Sequence, residues 1–178
     1  MPITPLHASA LIFLYFKDKN HIDPLALTVS STFIDIEPLY YFILGEPLDH
    51  RIWHGFTLTL TIYPILTTVG VYLVERFFEA ELWAAYKWAR LNPVKTTYPL
   101  RNIYLLSIFG GFSHIFFDMF THSEMLWVLY PFANGNPFFT DTTFIIVETG
   151  VILMTLYSLR CWMKDKPIKL KSKANEAI

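Results

Sequence analysis

His114, Asp118 and His122 recur at every fourth position, so on a helix they form one slowly drifting stripe with neighbours a turn apart. Two such groups can ligate a single ion, as in helical His-x-x-x-Asp/His metal sites. His7, His50 and His54, with Asp35, Glu37 and Glu148, also lie within or beside apolar runs. Imidazole and carboxylate without thiolate suit zinc, manganese or iron better than copper or calcium. Cys161 is the single cysteine, which excludes an internal disulfide and a cysteine-rich metal site. Taken singly, a histidine or aspartate in an apolar helix can equally be a hydrogen-bonding packing residue. His21, His122 and Glu124 read as solvated groups, and Asp49 with Arg51 as a surface pair.

The elements that must position these groups are hydrophobic. Of 178 residues, 53% are hydrophobic and 16% charged, against about 25% charged in ordinary soluble domains, and mean hydropathy is +0.37. A spanning helix needs roughly 20 mostly apolar residues. Four runs approach that length: Leu25–Leu44, Gly55–Val74, Asn102–Thr121 and Thr143–Trp162. Ala8–Phe16 and Met125–Phe132 are too short and read as half-helices or interfacial segments, the second with an aromatic belt. Residues 75–90 interleave aromatic with charged residues and predict an amphipathic helix at the membrane surface. The N-terminus lacks the basic region of a secretory signal, and the lysine-rich tail from Met163 reads as disordered. A net charge of -1 gives no bias toward nucleic acid.

Of the 14 Lys+Arg residues, all but Arg51 fall before the first run, between the second and third, or at the end of the chain. The positive-inside rule then predicts a multi-pass protein of the cell membrane with both termini cytoplasmic. Depths also agree. Asp35 lies about 15 Å into the first run and His114 about 18 Å into the third, at 1.5 Å per residue. Ionisable groups inside membrane segments are costly unless they meet, which makes each a functional candidate. Asp35 and Glu37 are about 200° apart on an ideal helix, so both reach one site only if the helix is distorted there, as Pro38 would allow.

Several segments together resemble the membrane-bound metal-dependent hydrolase family, of which a LexA-regulated inner-membrane protein is the best-known bacterial member. The chain opens Met1-Pro2-Ile3-Thr4-Pro5-Leu6-His7, like the family's Met-Pro-x-Thr-Pro-x-His. Ile34-Asp35-Ile36-Glu37 loosely matches Pro-Asp-x-Asp, and His50-Arg51 leads to His54-Gly55-Phe56-Thr57. His114 to Thr121 fits His-x-x-x-Asp-x-x-Thr, followed by Leu129-Tyr130-Pro131-Phe132. The chain departs from the pattern at Ile34, at Glu37 and at Leu58, where the family often has histidine; His54 is the candidate replacement.

The expectation is an all-α integral membrane bundle of about four transmembrane helices plus half-helices and one interfacial helix, with residues 1–162 as one domain. Its function would be metal-dependent hydrolysis of a lipid or lipid-linked ester or phosphoester. One or two metal ions, zinc before others, would be held by His7, Asp35, His50, His54, His114 and Asp118. Glu37 or Glu148 would serve as general base, and membrane lipids would be the partners, with a homo-oligomer left open. The alternative is a non-catalytic metal-binding membrane protein or a small ion carrier using the same cluster.

Overall fold

The computed structural model describes residues 5–47 and 50–165. Most of the opening motif, Asp49 and nearly all of the lysine-rich tail lie outside the described residues. Within them the chain is all-helical. Nine helices follow one another: α1 (Pro5–Leu11), α2 (Phe13–Lys17), α3 (Pro24–Thr32), α4 (Ile36–Ile43), α5 (Phe56–Leu60), α6 (Ile62–Phe77), α7 (Glu79–Trp88), α8 (Leu100–Thr121) and α9 (Asp141–Lys164).

Two of them, α8 and α9, are long and apolar enough to cross a membrane. The other two expected spans are broken. In the first, α3 begins on the Asp23 side chain, which accepts from Leu25 N and Ala26 N, with Pro24 pre-set for the first turn. It ends where Ser30, Ser31 and Thr32 in succession turn their hydroxyls back onto carbonyls of the preceding turn, a pattern that bends helices. A short tight turn, Phe33–Asp35, then leads into α4. Pro38 sits in the first turn of α4, where a missing N–H costs little, so the break precedes it. The second run is likewise split between α5 and α6 at Thr61. Met125–Phe132 is a series of turns instead of a half-helix. Residues 75–90 divide between the end of α6 and α7.

The central helix is α8, which packs against α3, α5 and α6, while α9 packs along α1 and α2. Gly110 permits the closest approach, since a Cβ there would lie 1.9 Å from Ser30 Oγ. In its absence Ser30 donates across the interface to Leu106 O at 3.1 Å. Gly111 does the same for α5 and α6, where a Cβ would meet Thr59 and Tyr63 at about 3 Å. α9 is held to the first helices by Ser158, which accepts from Phe13 N and donates to Ala10 O.

At one end of the bundle Lys19 pairs with Asp165 at 2.6 Å and donates to Leu91 O and Asn92 O, while Trp162 donates to Ala89 O. The three basic segments therefore meet there. The outer surface is apolar: the membrane-length window of α9 is only 11% buried, and α4 and α6 expose Leu39, Phe42, Ile43, Ile65, Leu66 and Val69. Soluble monomers rarely present so continuous an apolar surface.

Candidate metal centre

The side chains of the site come from breaks in the helical frame and from the helices α1 and α8. Asp35 closes the tight turn after α3 and Glu37 lies in the first turn of α4. His50 and His54 flank a short turn, Ile52–His54, and His114 and Asp118 lie one turn apart on α8. His7 comes from α1. Gly55 seats the His54 turn against the loop that follows α8, because a Cβ there would stand 2.5 Å from Trp127 O. The neighbouring Phe56 N donates to Val128 O.

Asp35 Oδ1 is 3.1 Å from both His54 Nε2 and His114 Nε2, and Asp118 Oδ2 is 2.9 Å from His114 Nε2. Ligand atoms of Asp35, His54, His114 and Asp118 all lie within 4.8 Å of one another, and the last three residues are buried. The outer nitrogens settle which way the two rings present themselves. His114 Nδ1 lies 2.8 Å from Ser31 O, and a carbonyl can only accept, so Nδ1 carries a proton. His54 Nδ1 lies 2.9 Å from Glu37 Oε2, and the carboxylate makes the same assignment. In the neutral rings both Nε2 lone pairs then point at carboxylate oxygens, and His114 Nε2 has no hydrogen-bond partner although it is fully buried. Lone pairs facing lone pairs in a dry interior repel unless a proton on the ring or a metal cation stands between them. Metal-binding histidines commonly donate their other ring N–H to a carbonyl or carboxylate in this way. The four residues fit a divalent ion.

His7 and His50 complete the surroundings of Asp118. His7 Nε2 is 3.3 Å from Oδ1, and His50 Nε2 is 3.8 Å from Oδ2. Burial, with the adjacent His54, lowers the His50 pKa to about 4, so it is a neutral imidazole. Glu37 lies beside the site and not at its centre. Its carboxylate accepts from Arg51 N, Trp53 N and His54 Nδ1, which engages the oxygens a general base would use. Among the described residues no hydrogen bond or ion pair joins Glu148, half-buried on α9, to His7, His54, His114 or Asp118.

His122 is a site residue that the sequence reading left in solvent. It is 6% exposed, its ring is 4.5 Å from that of His50, and its Nε2 is 3.9 Å from Asp118 Oδ1. Glu124 Oε1 lies 3.0 Å from His122 Nδ1. The four-residue stripe carried the signal, because His122 follows Asp118 at the same interval as Asp118 follows His114.

Two cavities adjoin the cluster. One, of about 350 Å³, is lined by Phe33, Ile36, Tyr41, Trp53, Tyr63 and Leu66 among others, with Glu37 at its polar wall. The other, of about 440 Å³, lies between His50, Arg51, Glu124, Leu126 and Trp127. Arg51 stands between them, its guanidinium 3.7 Å from the centre of the Tyr41 ring.

Compared with known families, residues 1–174 match a domain of unknown function (DUF4184). No curated protein and no solved structure matches the chain.

Proposed function

The chain belongs to the DUF4184 family, and we propose that this member is a multi-pass membrane metalloenzyme that hydrolyses an ester or phosphoester of a lipid or lipid-linked substrate. The observation that carries the reading is the pair of imidazoles, His54 and His114, whose Nδ1 atoms are hydrogen-bonded outward and whose Nε2 atoms converge on Asp35 and Asp118. These four residues would hold the cation. A divalent ion bound there lowers the pKa of water toward 7 and polarises the bond to be cleaved. Zinc is the first candidate on donor chemistry.

The remaining roles belong to the chain itself. Glu37 and Ser31 O fix the two rings. Glu124, with 41% of its side chain exposed at the open edge, would take the proton-transfer role through Oε2, which among the described residues only the Ser123 hydroxyl meets, at 3.4 Å, Oε1 being bonded to His122. Membrane embedding is supported by the apolar surface of α4, α6 and α9. The broken pairs α3–α4 and α5–α6 are each long enough in sum to act as discontinuous spans, with irregular backbone buried in protein where it lines the site. The 350 Å³ cavity suits an acyl chain, being apolar and beside Glu37, and Arg51 at its edge suits an anionic headgroup. The motif likeness to the membrane-bound metal-dependent hydrolases points the same way.

The test is turnover of fluorogenic acyl esters and phosphodiesters in mixed micelles by the purified chain. Hydrolysis should cease with a chelator, return with zinc and fall to background in Asp118→Ala. Turnover that survives both treatments would refute the reading. Metal binding without turnover of any of these substrates would favour a structural ion or an ion carrier.

A further inference from the structure

Asp118 belongs to two ligand groups at once. One is Asp35, His54, His114 and Asp118; the other is His50, Asp118 and His122, whose ligand atoms also lie within 4.8 Å of one another and whose members are all buried. Asp118 Oδ1 has no hydrogen-bond partner although the residue is 1% exposed, and it points toward His7 Nε2 at 3.3 Å and His122 Nε2 at 3.9 Å. The separations of His50 Nε2 from Asp118 Oδ2, 3.8 Å, and of His122 Nε2 from Oδ1, 3.9 Å, are too long for hydrogen bonds. They are near the spacing of ligands on a common ion, since donors at 2.0–2.2 Å from a tetrahedral zinc are about 3.4 Å apart.

The outer nitrogen of His122 repeats the arrangement of the first group, while that of His50 is buried 3.8 Å from the same carboxylate oxygen of Glu124. His122 Nδ1 faces Glu124 Oε1 at 3.0 Å, which leaves Nε2 for the interior. His50 offers its Nε2 to Asp118 Oδ2 at 3.8 Å, and its ring lies 4.5 Å from that of His122. We propose that the site holds two divalent cations bridged by Asp118, the second bound by His50 and His122 with His7 beside the bridging carboxylate. The inference rests on the reading of the first group as a metal site and adds a second ion to it. A bridging carboxylate uses both oxygens of Asp118, which explains why four histidines surround one aspartate in a water-poor interior.

The test is metal stoichiometry on the full chain, purified in detergent, loaded with zinc and freed of excess by gel filtration. The wild type should retain about two zinc ions per chain and His122→Ala about one. Because a variant at a buried site can lose its fold, the wild type loaded with manganese supplies an independent measurement. Its electron paramagnetic resonance should show the exchange-coupled spectrum of a bridged pair. One ion per chain in the wild type, or manganese spectra of isolated ions only, would overturn the second site and leave the first intact. No retained metal at all would overturn both, along with the proposed function.

Discussion

Glu37 acts through His54. Its carboxylate gathers two backbone N–H groups and the ring N–H of His54, so it sets the direction in which Nε2 points. Partners of this kind are worth about 10–100-fold in metal affinity. Glu37→Gln should therefore weaken zinc binding by that factor in a competition titration with a chelating dye, with helical content unchanged by circular dichroism. Unchanged affinity would remove Glu37 from this role. In the sequence Asp35 and Glu37 were a matched pair facing nearly opposite ways. The fold sets them on opposite nitrogens of one imidazole, which asks for that divergence instead of forbidding it. His122 shows a related limit. Its spacing from Asp118 was legible, but it stands just past the end of α8 with extended backbone, so helical geometry no longer fixes its direction. Asn136 does so, by donating to the carbonyls of Met119 and His122.

Among the elements, the interruptions and the close crossings build the site. The α3–α8 contact depends on Gly110, where a methyl group would overlap Ser30, whereas Gly70 on α6 has nothing within 4 Å of its would-be Cβ. Gly110→Ala should cost about 1–3 kcal/mol through overpacking, and Gly70→Ala should be neutral or stabilise by about 0.5–1 kcal/mol through helix propensity. Thermal unfolding in detergent compares them, and equal shifts for the two variants would discredit the packing argument. Apolar periodicity located all four long segments, since hydrophobic content is a property of composition. It did not locate the breaks at residues 33–35 and 61, because apolar content does not register where Ser30, Ser31 and Thr32 turn their hydroxyls onto their own helix.

At the scale of the molecule, the loop of Lys19 and His21 meets the start of α8 through Asn102, while the histidine cluster lies toward the other end of that helix. Lys19 reaches both the loop at Leu91 and the end of α9 at Asp165, which gathers the basic segments, while Glu124 and Arg51 edge the other end. On the proposed membrane reading, the positive-inside rule predicts that the basic end is cytoplasmic. With Cys161 replaced by serine, Lys95→Cys should be shielded from an impermeant thiol reagent in intact cells, and Asn134→Cys, on an exposed turn near the site, should label. Labelling at position 95 alone would reverse the orientation and turn the site to the cytoplasm.

Composition and periodicity by themselves determined the helical class, the apolar segments and the grouping of the basic residues, because these depend only on what each stretch must do with water and lipid. The identity of the ligand candidates was also legible, since ionisable groups in apolar runs are costly and hence few. Which nitrogen each histidine presents, the inward direction of His122 and the sharing of Asp118 between two groups were decided by tertiary structure alone. They depend on contacts between segments as far apart as His7 and Asp118, and no local pattern in the chain encodes the angle at which such segments meet.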